Sequence, residues 1–125
     1  MYRFFSMFAV ALTLALPATA QETGSYLTFI SANDIYNSSG TRLTTVGAII
    51  QQDRANYHRF GIPDADDNGD PWFGNAALRA TLSGARISAS NDGSIGRILE
   101  GRALVVVYYQ ISNGAVTDLA FVTPG

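Results

Sequence analysis

The C-terminal part of the chain contains two consecutive β-strand patterns that are joined by a tight turn. Ala103–Ile111 is rich in valine and tyrosine and is apolar on both faces, which is typical of a strand in the middle of a sheet. Asn113-Gly114 is the preferred dipeptide of a two-residue hairpin turn, and Val116–Val122 continues the pattern until Pro124 ends it. The sequence therefore predicts an antiparallel hairpin whose first strand is central.

Three other segments have β-strand character. Tyr26–Ile30 is rich in aromatic and β-branched residues and indicates the first strand. Arg86–Ser90 and Ile95–Leu99 alternate with period two, and they flank Asn91–Gly93, which resembles a hairpin turn. Together with the C-terminal hairpin, these segments predict an antiparallel sheet of about five strands.

A long helix is predicted between the first strand and the strand-rich part of the chain. Thr44 or Thr45 can cap its N-terminus, and Gly61 with Pro63 ends it. The apolar residues that share one stripe at about 100° per residue are Val46, Ile49, Ile50, Tyr57 and Phe60. The polar residues expected to point to water are Gln51, Arg54, His58 and Arg59.

A shorter helix is predicted over Ala76–Leu82, with Asn75 as its N-cap and Gly84 after its end. Helices that precede a run of hairpin-linked strands are typical of an α+β domain. We therefore expect an α+β fold in which one long and one short helix pack on one face of the antiparallel sheet.

The N-terminus has the three parts of a secretory signal peptide: a basic residue, a short apolar run and an Ala-x-Ala ending. Arg3 is the only charge before Glu22, the apolar run is Phe4–Leu16, and the ending is Ala18-Thr19-Ala20. A membrane anchor is the alternative, but an anchor needs about 20 apolar residues. We expect cleavage after Ala20, which leaves residues 21–125 as a single small domain in the periplasm or outside the cell, without a stable membrane anchor.

The residue types that the chain lacks exclude several chemistries. The sequence contains no Cys, and its eight Lys or Arg residues are all Arg. Disulfides, thiolate metal sites and iron–sulfur clusters are therefore excluded, as are thiol nucleophiles and lysine Schiff bases. The formal net charge is −2, so the chain lacks the clustered cations that nucleic acid binding needs.

An acidic loop between the two predicted helices resembles the first half of an EF-hand calcium loop. Oxygen-bearing side chains alternate along it, and Gly69 stands at the sixth position, where the sharp turn is made. The candidate calcium ligands are Asp64, Asp66, Asn68 and Asp70. The twelfth position is Asn75 rather than the bidentate Glu, so the sequence is compatible with a weak structural calcium site or with a solvated turn.

Asp53 is the one acid within the apolar stripe of the long helix. A buried carboxylate is costly unless it is paired or hydrogen-bonded. In the structural interpretation, Asp53 accepts backbone N–H bonds from a loop or pairs with Arg42 or Arg86. In the catalytic interpretation, it is a general base with a raised pKa.

His58 is the only histidine in the sequence. With Arg54 and a nearby acid it is a candidate for the acid–base cluster of a phosphodiester hydrolase, so the candidate catalytic residues are Asp53, His58 and Arg54. Helical spacing places His58 well away from the Asp53 face. We therefore expect His58 to be an exposed surface residue that does not share a site with Asp53.

Trp72 and Phe73 directly follow the acidic loop. If their rings are exposed, they form with Asp70 an anchor patch of the kind that interfaces use. Large apolar side chains are usually covered, so the alternative is that both rings fold back over the sheet or the long helix. On the first interpretation, the contact surface is the loop Gly61–Gly74.

These features favour a small exported binding or interaction protein without catalysis, which contacts a protein or a small ligand and has at most a calcium ion as cofactor. The alternative is a small secreted, nuclease-like hydrolase in which Asp53 is the base and an Arg clamps the charge. A structural envelope component is a third interpretation. A hydrolase needs Asp53 to be reachable by solvent beside an Arg, whereas a binding protein has a filled core around Asp53 and exposed rings at Trp72 and Phe73.

Overall fold

The computed structural model describes residues 21–88 and 92–124. The predicted signal peptide, residues 1–20, lies outside the described residues, as do positions 89–91 with the end of the strand predicted at Arg86–Ser90 and the start of the turn predicted at Asn91–Gly93. Within the described ranges, no helix is long and apolar enough to cross a membrane.

The described residues form one four-stranded mixed sheet. Its strands are β1 (Gln21–Ile30), β2 (Arg86–Ser88), β3 (Ala103–Ser112) and β4 (Ala115–Val122). Their order across the sheet is β1-β3-β4-β2. The pairs β1–β3 and β3–β4 are antiparallel, but β2 runs parallel to β4. The prediction of an antiparallel sheet of about five strands is therefore wrong.

The predicted C-terminal hairpin is confirmed. β3 lies between β1 and β4, and Ser112 pairs with Ala115 on either side of the turn. Asn113 and Gly114 have φ angles of 54° and 78°, the left-handed conformation that a tight hairpin turn requires at both positions. The central position of β3 follows from side chains that are apolar on both faces.

Three α-helices and two 3₁₀ helices complete the described residues. The α-helices are α1 (Val46–His58), α2 (Ala76–Ala80) and α3 (Ser94–Glu100). The 3₁₀ helices are Ala32–Ile35 and Thr81–Gly84. The sequence predicted the first two α-helices but not the third.

Helix α3 occupies the segment that was predicted to be the strand Ile95–Leu99. Its apolar residues also fit the helical spacing i, i+3, i+4: Ile95, Ile98 and Leu99. Left-handed glycines stand at both ends, Gly93 with a φ of 80° and Gly101 with a φ of 73°. Because this segment is helical, it does not pair with β2 as a hairpin, and β2 pairs with β4 instead.

The core lies between the helices and one face of the sheet. It combines Ile49 and Ile50 of α1 and Ile98 of α3 with Val105 and Val107 of the central strand. Phe60 lies beyond the end of α1 and is 39% exposed, so its assignment to the core stripe is wrong. The helix ends earlier than Phe60, and the chain turns away from the stripe there.

Candidate functional site

Asp53 and Arg54 are both fully buried. The stripe predicted the burial of Asp53, but Arg54 was expected to point to water. The Arg54 Nε–H donates to Asp53 Oδ2 at 2.8 Å, and Nη1 donates to Asp70 Oδ2 at 2.9 Å. The guanidinium also lies over the rings of Tyr26 and Tyr57, at 4.0 and 4.9 Å from their centroids. Ion pairing and ring stacking together allow this Arg to be enclosed.

Neither Arg42 nor Arg86, the partners expected for Asp53, contacts it. Arg42 donates to the carbonyl oxygens of Leu43 and Leu99. Arg86 forms an exposed ion pair with Asp118 at 2.8 Å. The partner of Asp53 is instead its neighbour in sequence.

The Thr28 hydroxyl lies between two carboxyl groups, 2.8 Å from Asp53 Oδ1 and 2.9 Å from Asp67 Oδ1. A hydroxyl has a single proton to donate, so both contacts are full hydrogen bonds only when one of the two carboxyl groups carries a proton. Asp67 Oδ1 also accepts the N–H of Phe29. Burial raises the pKa of Asp53 to about 8 against the opposing charge of Arg54. We therefore assign the proton to Asp53.

Asp34, beside this cluster, also has a raised pKa, but it is largely ionised at neutral pH. Burial raises the pKa of Asp34 to about 6, and a hydrogen bond with the Asp64 carboxyl acts in the same direction. The remaining lone pairs of Asp34 accept from the backbone N–H of Ser31 and from the side-chain amide of Asn56. Asp34 thus links the 3₁₀ helix Ala32–Ile35 to α1.

Asp70 is the ionised member of the network. Burial acts to raise its pKa, but hydrogen bonds from His58, the Phe73 N–H, Arg54 and the Trp72 N–H outweigh burial and lower it. His58 Nε2 lies 2.8 Å from Asp70 Oδ2, and the His side chain is only 16% exposed. The expectation that His58 is an exposed surface residue is therefore wrong. Asp70, which lies outside the helix, and Arg54 connect His58 to Asp53.

The three central side chains of the network are not accessible to a substrate, whereas His58 at its edge is 16% exposed. The side chains of Asp53, Arg54 and Asp70 have no exposed surface, and a general base must come within hydrogen-bond reach of the proton that it removes. Their geometry instead ties α1 to β1 through Thr28 and to the acidic loop through Asp70 and the Asn68 carbonyl. The arrangement therefore connects α1 to the neighbouring parts of the fold.

The four candidate calcium ligands do not converge. Asp70 is engaged by Arg54, Asp64 contacts Asp34, and Asp66 is exposed. Within the described residues, no group of three or more His, Asp or Glu side chains is arranged to hold a metal ion. Asp67, which was not among the candidate ligands, holds the loop against β1 by accepting hydrogen bonds from the Thr28 hydroxyl and the Phe29 N–H.

Most of the candidate contact patch is enclosed. Phe73 is fully buried and packs edge-on against the rings of Tyr26 and Tyr109. Trp72 is half-buried and packs against the core. The Asp70 side chain is inaccessible. The segment therefore folds back over the domain, the second of the two alternatives for these rings.

A surface groove of about 310 Å³ lies between the 3₁₀ helix Ala32–Ile35, α1 and the residues that follow α1. Three large hydrophobic residues project there, Tyr36, Phe60 and Ile62, with 45%, 39% and 52% of their surface exposed. Four amide side chains also line it: Asn33, Asn37, Gln52 and Asn56. We call it the ring-and-amide groove. No side chain that is charged at neutral pH lines it in the described part of the chain.

Several polar atoms of this groove have no partner among the described residues. Gln52 uses its Nε2 to donate to Asn56, which leaves its Oε1 available. Asn37 uses its Oδ1 to accept from the N–H groups of Ser39 and Thr41, which leaves its Nδ2 available. The side-chain amide of Asn33 is free at both ends. The groove thus offers donors and acceptors together.

Two further grooves are present. One, of about 390 Å³, lies on the sheet face opposite the core around Tyr108 and Asp118. The other, of about 420 Å³, adjoins the ring-and-amide groove, shares Phe60 and Gln52 with it, and contains Arg59. The two that share residues form one continuous depression along α1.

Sequence reasoning missed the ring-and-amide groove. Its one available signal was Tyr36, an aromatic residue set among the turn-forming Asn33 and Asn37 rather than in a strand. Compared with family models, with curated proteins and with solved structures, the chain gives no match.

Proposed function

We propose that this protein is a small exported binding protein, without catalytic activity, that holds its ligand in the ring-and-amide groove. The observation that carries the proposal is the clustering of Tyr36, Phe60 and Ile62. Large hydrophobic side chains gathered on a surface mark interaction sites more often than isolated ones do. Convergent polar groups around an apolar floor are the usual composition of a ligand site.

The enclosed network supports the non-catalytic part of the proposal. The nuclease-like alternative requires Asp53 to reach a substrate. Its side chain is instead fully buried and is bonded to Thr28 and Arg54. The filled core around Asp53 agrees with one of the two features expected of a binding protein; the other, exposed rings at Trp72 and Phe73, is absent because Phe73 is buried and Trp72 is half-buried.

Export rests on the pattern of residues 1–20. Its test is the N-terminal sequence of the protein recovered from a bacterial host that expresses the full chain. We expect the recovered protein to begin at Gln21 and to be found in the periplasm or the medium. Recovery in the cytoplasm with Met1 intact would contradict export.

The binding site is tested by nuclear magnetic resonance on the isotope-labelled protein. The probes are a mixture of neutral tetrasaccharides and a mixture of uncharged tripeptides. We expect amide shifts to cluster around Tyr36, Gln52 and Phe60 with at least one of the two mixtures. Phe60→Ala should remove the shifts, whereas Tyr108→Ala, which truncates a comparably exposed aromatic on the opposite surface, should preserve them.

Two outcomes would contradict the proposal. One is a set of shifts that clusters around Tyr108 and leaves the ring-and-amide groove unchanged. The other is hydrolysis of bis(4-nitrophenyl) phosphate that disappears in Asp53→Asn, because that result would assign catalysis to a residue placed here in the core.

A further inference from the structure

We infer that the ligand of the ring-and-amide groove is an uncharged oligosaccharide, an inference that rests on the proposed function. The first reason is the absence of charge in the groove lining over the described residues. A charged ligand group placed against these lining residues would lose its hydration without gaining an ion pair from them. The part of the ligand that contacts this lining is therefore inferred to be neutral, and the nearest cations are Arg42 and Arg59 beside the two rings.

The second reason is the kind of hydrogen bonding that the groove offers. Gln52 Oε1 is an acceptor, Asn37 Nδ2 is a donor, and the amide of Asn33 supplies one of each. A ligand that satisfies such a set needs groups that donate and accept at closely spaced positions. Sugar hydroxyls do both, and a sugar ring carries several of them side by side.

The third reason is the pair of rings. Phe60 and Tyr36 are each braced by a guanidinium, since Arg59 lies 4.9 Å from the Phe60 centroid and Arg42 lies 5.9 Å from the Tyr36 centroid. A ring that is held in this way loses little freedom when a ligand binds. Its exposed surface offers an apolar area to the C–H face of a sugar.

The lining also disfavours an extended peptide. Peptides commonly add to an exposed sheet edge through main-chain hydrogen bonds, and none of the lining residues belongs to one of the four strands. An oligosaccharide needs no strand edge. The adjoining groove shares Phe60 and Gln52, so a further sugar unit can continue across Phe60 along α1, where it leaves the uncharged lining and meets Arg59 and Arg79.

The test is calorimetric titration of the processed protein with cellotetraose, maltotetraose and the tetramer of N-acetylglucosamine. Tetragalacturonate and a proline decapeptide are the acidic and peptide comparisons. We expect at least one neutral tetrasaccharide to bind. Phe60→Ala should weaken that binding about tenfold, which corresponds to 1.4 kcal/mol, and Gln52→Ala should weaken it by a smaller factor.

The control variants Tyr108→Ala and Gln110→Ala lie on the sheet surface and should leave the affinity unchanged. Amide spectra of all four variants verify that each one is folded. Tighter binding of tetragalacturonate or of the proline peptide would overturn the inference. If the peptide binds more tightly and also shifts the groove amides, the inference about the oligosaccharide fails but the groove remains the proposed binding site. If no probe shifts the groove amides, both the inference and the proposed function fail.

Discussion

The Thr28 hydroxyl lies 2.8 Å from the carboxyl of Asp53, at the centre of the contact between β1 and α1. The same hydroxyl also faces Asp67 at 2.9 Å, and burial raises the pKa of Asp53 to about 8, so we assign a proton to Asp53 at neutral pH. The stability of the fold is therefore linked to pH through this residue.

The first prediction concerns Asp53→Asn. The folded-state pKa of about 8 lies above the unfolded value of about 3.9, so the folded protein binds the extra proton. Its stabilising contribution is complete below the unfolded value and is lost as pH rises toward 8. The Asn amide can donate to Thr28 and accept from Arg54 without a proton. We expect the variant to be more stable than the wild type at pH 8.

The measurement is urea denaturation between pH 7 and 8, a range above the pKa of about 6 of Asp34. Wild-type stability should fall across this range by at most about 1.4 kcal/mol per pH unit, and the fall should be absent in Asp53→Asn. Asp118→Asn is the control. Because Arg86 lowers the pKa of Asp118, this substitution should change the pH dependence of stability only at acidic pH. A variant that is less stable than the wild type at pH 8 would show that Asp53 is ionised.

The second prediction concerns the buried ion pair of Arg54 with Asp70. Arg54→Met leaves the Asp70 carboxylate enclosed without its guanidinium, so we expect a loss of about 3–5 kcal/mol in the free energy of unfolding. Arg102→Met breaks the exposed pair with Glu100 and should change stability little. Equal effects of the two substitutions in chemical denaturation would mean that the buried pair is not what holds the loop.

The third prediction concerns the hydroxyl of Tyr26. Its oxygen is buried and has no hydrogen-bond partner among the described residues, and an unsatisfied buried group of this kind is destabilising. Tyr26→Phe keeps the ring on Arg54 and should increase stability by about 1 kcal/mol. Tyr109→Phe is the matched control, because the Tyr109 hydroxyl is hydrogen-bonded to Trp72. A thermal melt that shows Tyr26→Phe to be the less stable of the two would refute the assignment.

The fourth prediction concerns calcium. Asp70 is committed to Arg54, and Asp66 stands apart from the other acids of its loop. A ligand that binds the folded state raises its stability in proportion to the logarithm of ligand concentration. We expect the melting temperature to be the same in millimolar calcium and in chelator. A rise with calcium that disappears in Asp64→Asn would restore the calcium site.

Local sequence signals were sufficient for the elements whose ends are marked by turn or cap residues. The hairpin at Asn113-Gly114 and the start of α1 at Thr45 were predicted because turn and cap residues act on their immediate neighbours. The helix at Ile95–Leu99 was not predicted, because so short an apolar segment fits a strand and a helix equally well. The parallel pairing of β2 depends on that helix and could not be predicted without it.

The same division applies to the site. The burial of Asp53 follows from the helical stripe, but the burial of Arg54 depends on Asp70, which is distant in sequence. The ring-and-amide groove is assembled from Tyr36 before α1 and Phe60 after it. Long-range contacts of this kind leave no pattern in a single sequence, which is why the candidate patch at Trp72 and Phe73 was favoured instead.

The central claim is that the ring-and-amide groove binds the ligand while the Asp53 network only supports the fold. The most direct measurement compares the amide shifts that the neutral tetrasaccharides induce in Asp53→Asn and in Phe60→Ala. The account predicts that Asp53→Asn responds like the wild type and that Phe60→Ala does not respond. The reverse pattern, with binding lost in Asp53→Asn and kept in Phe60→Ala, would contradict it.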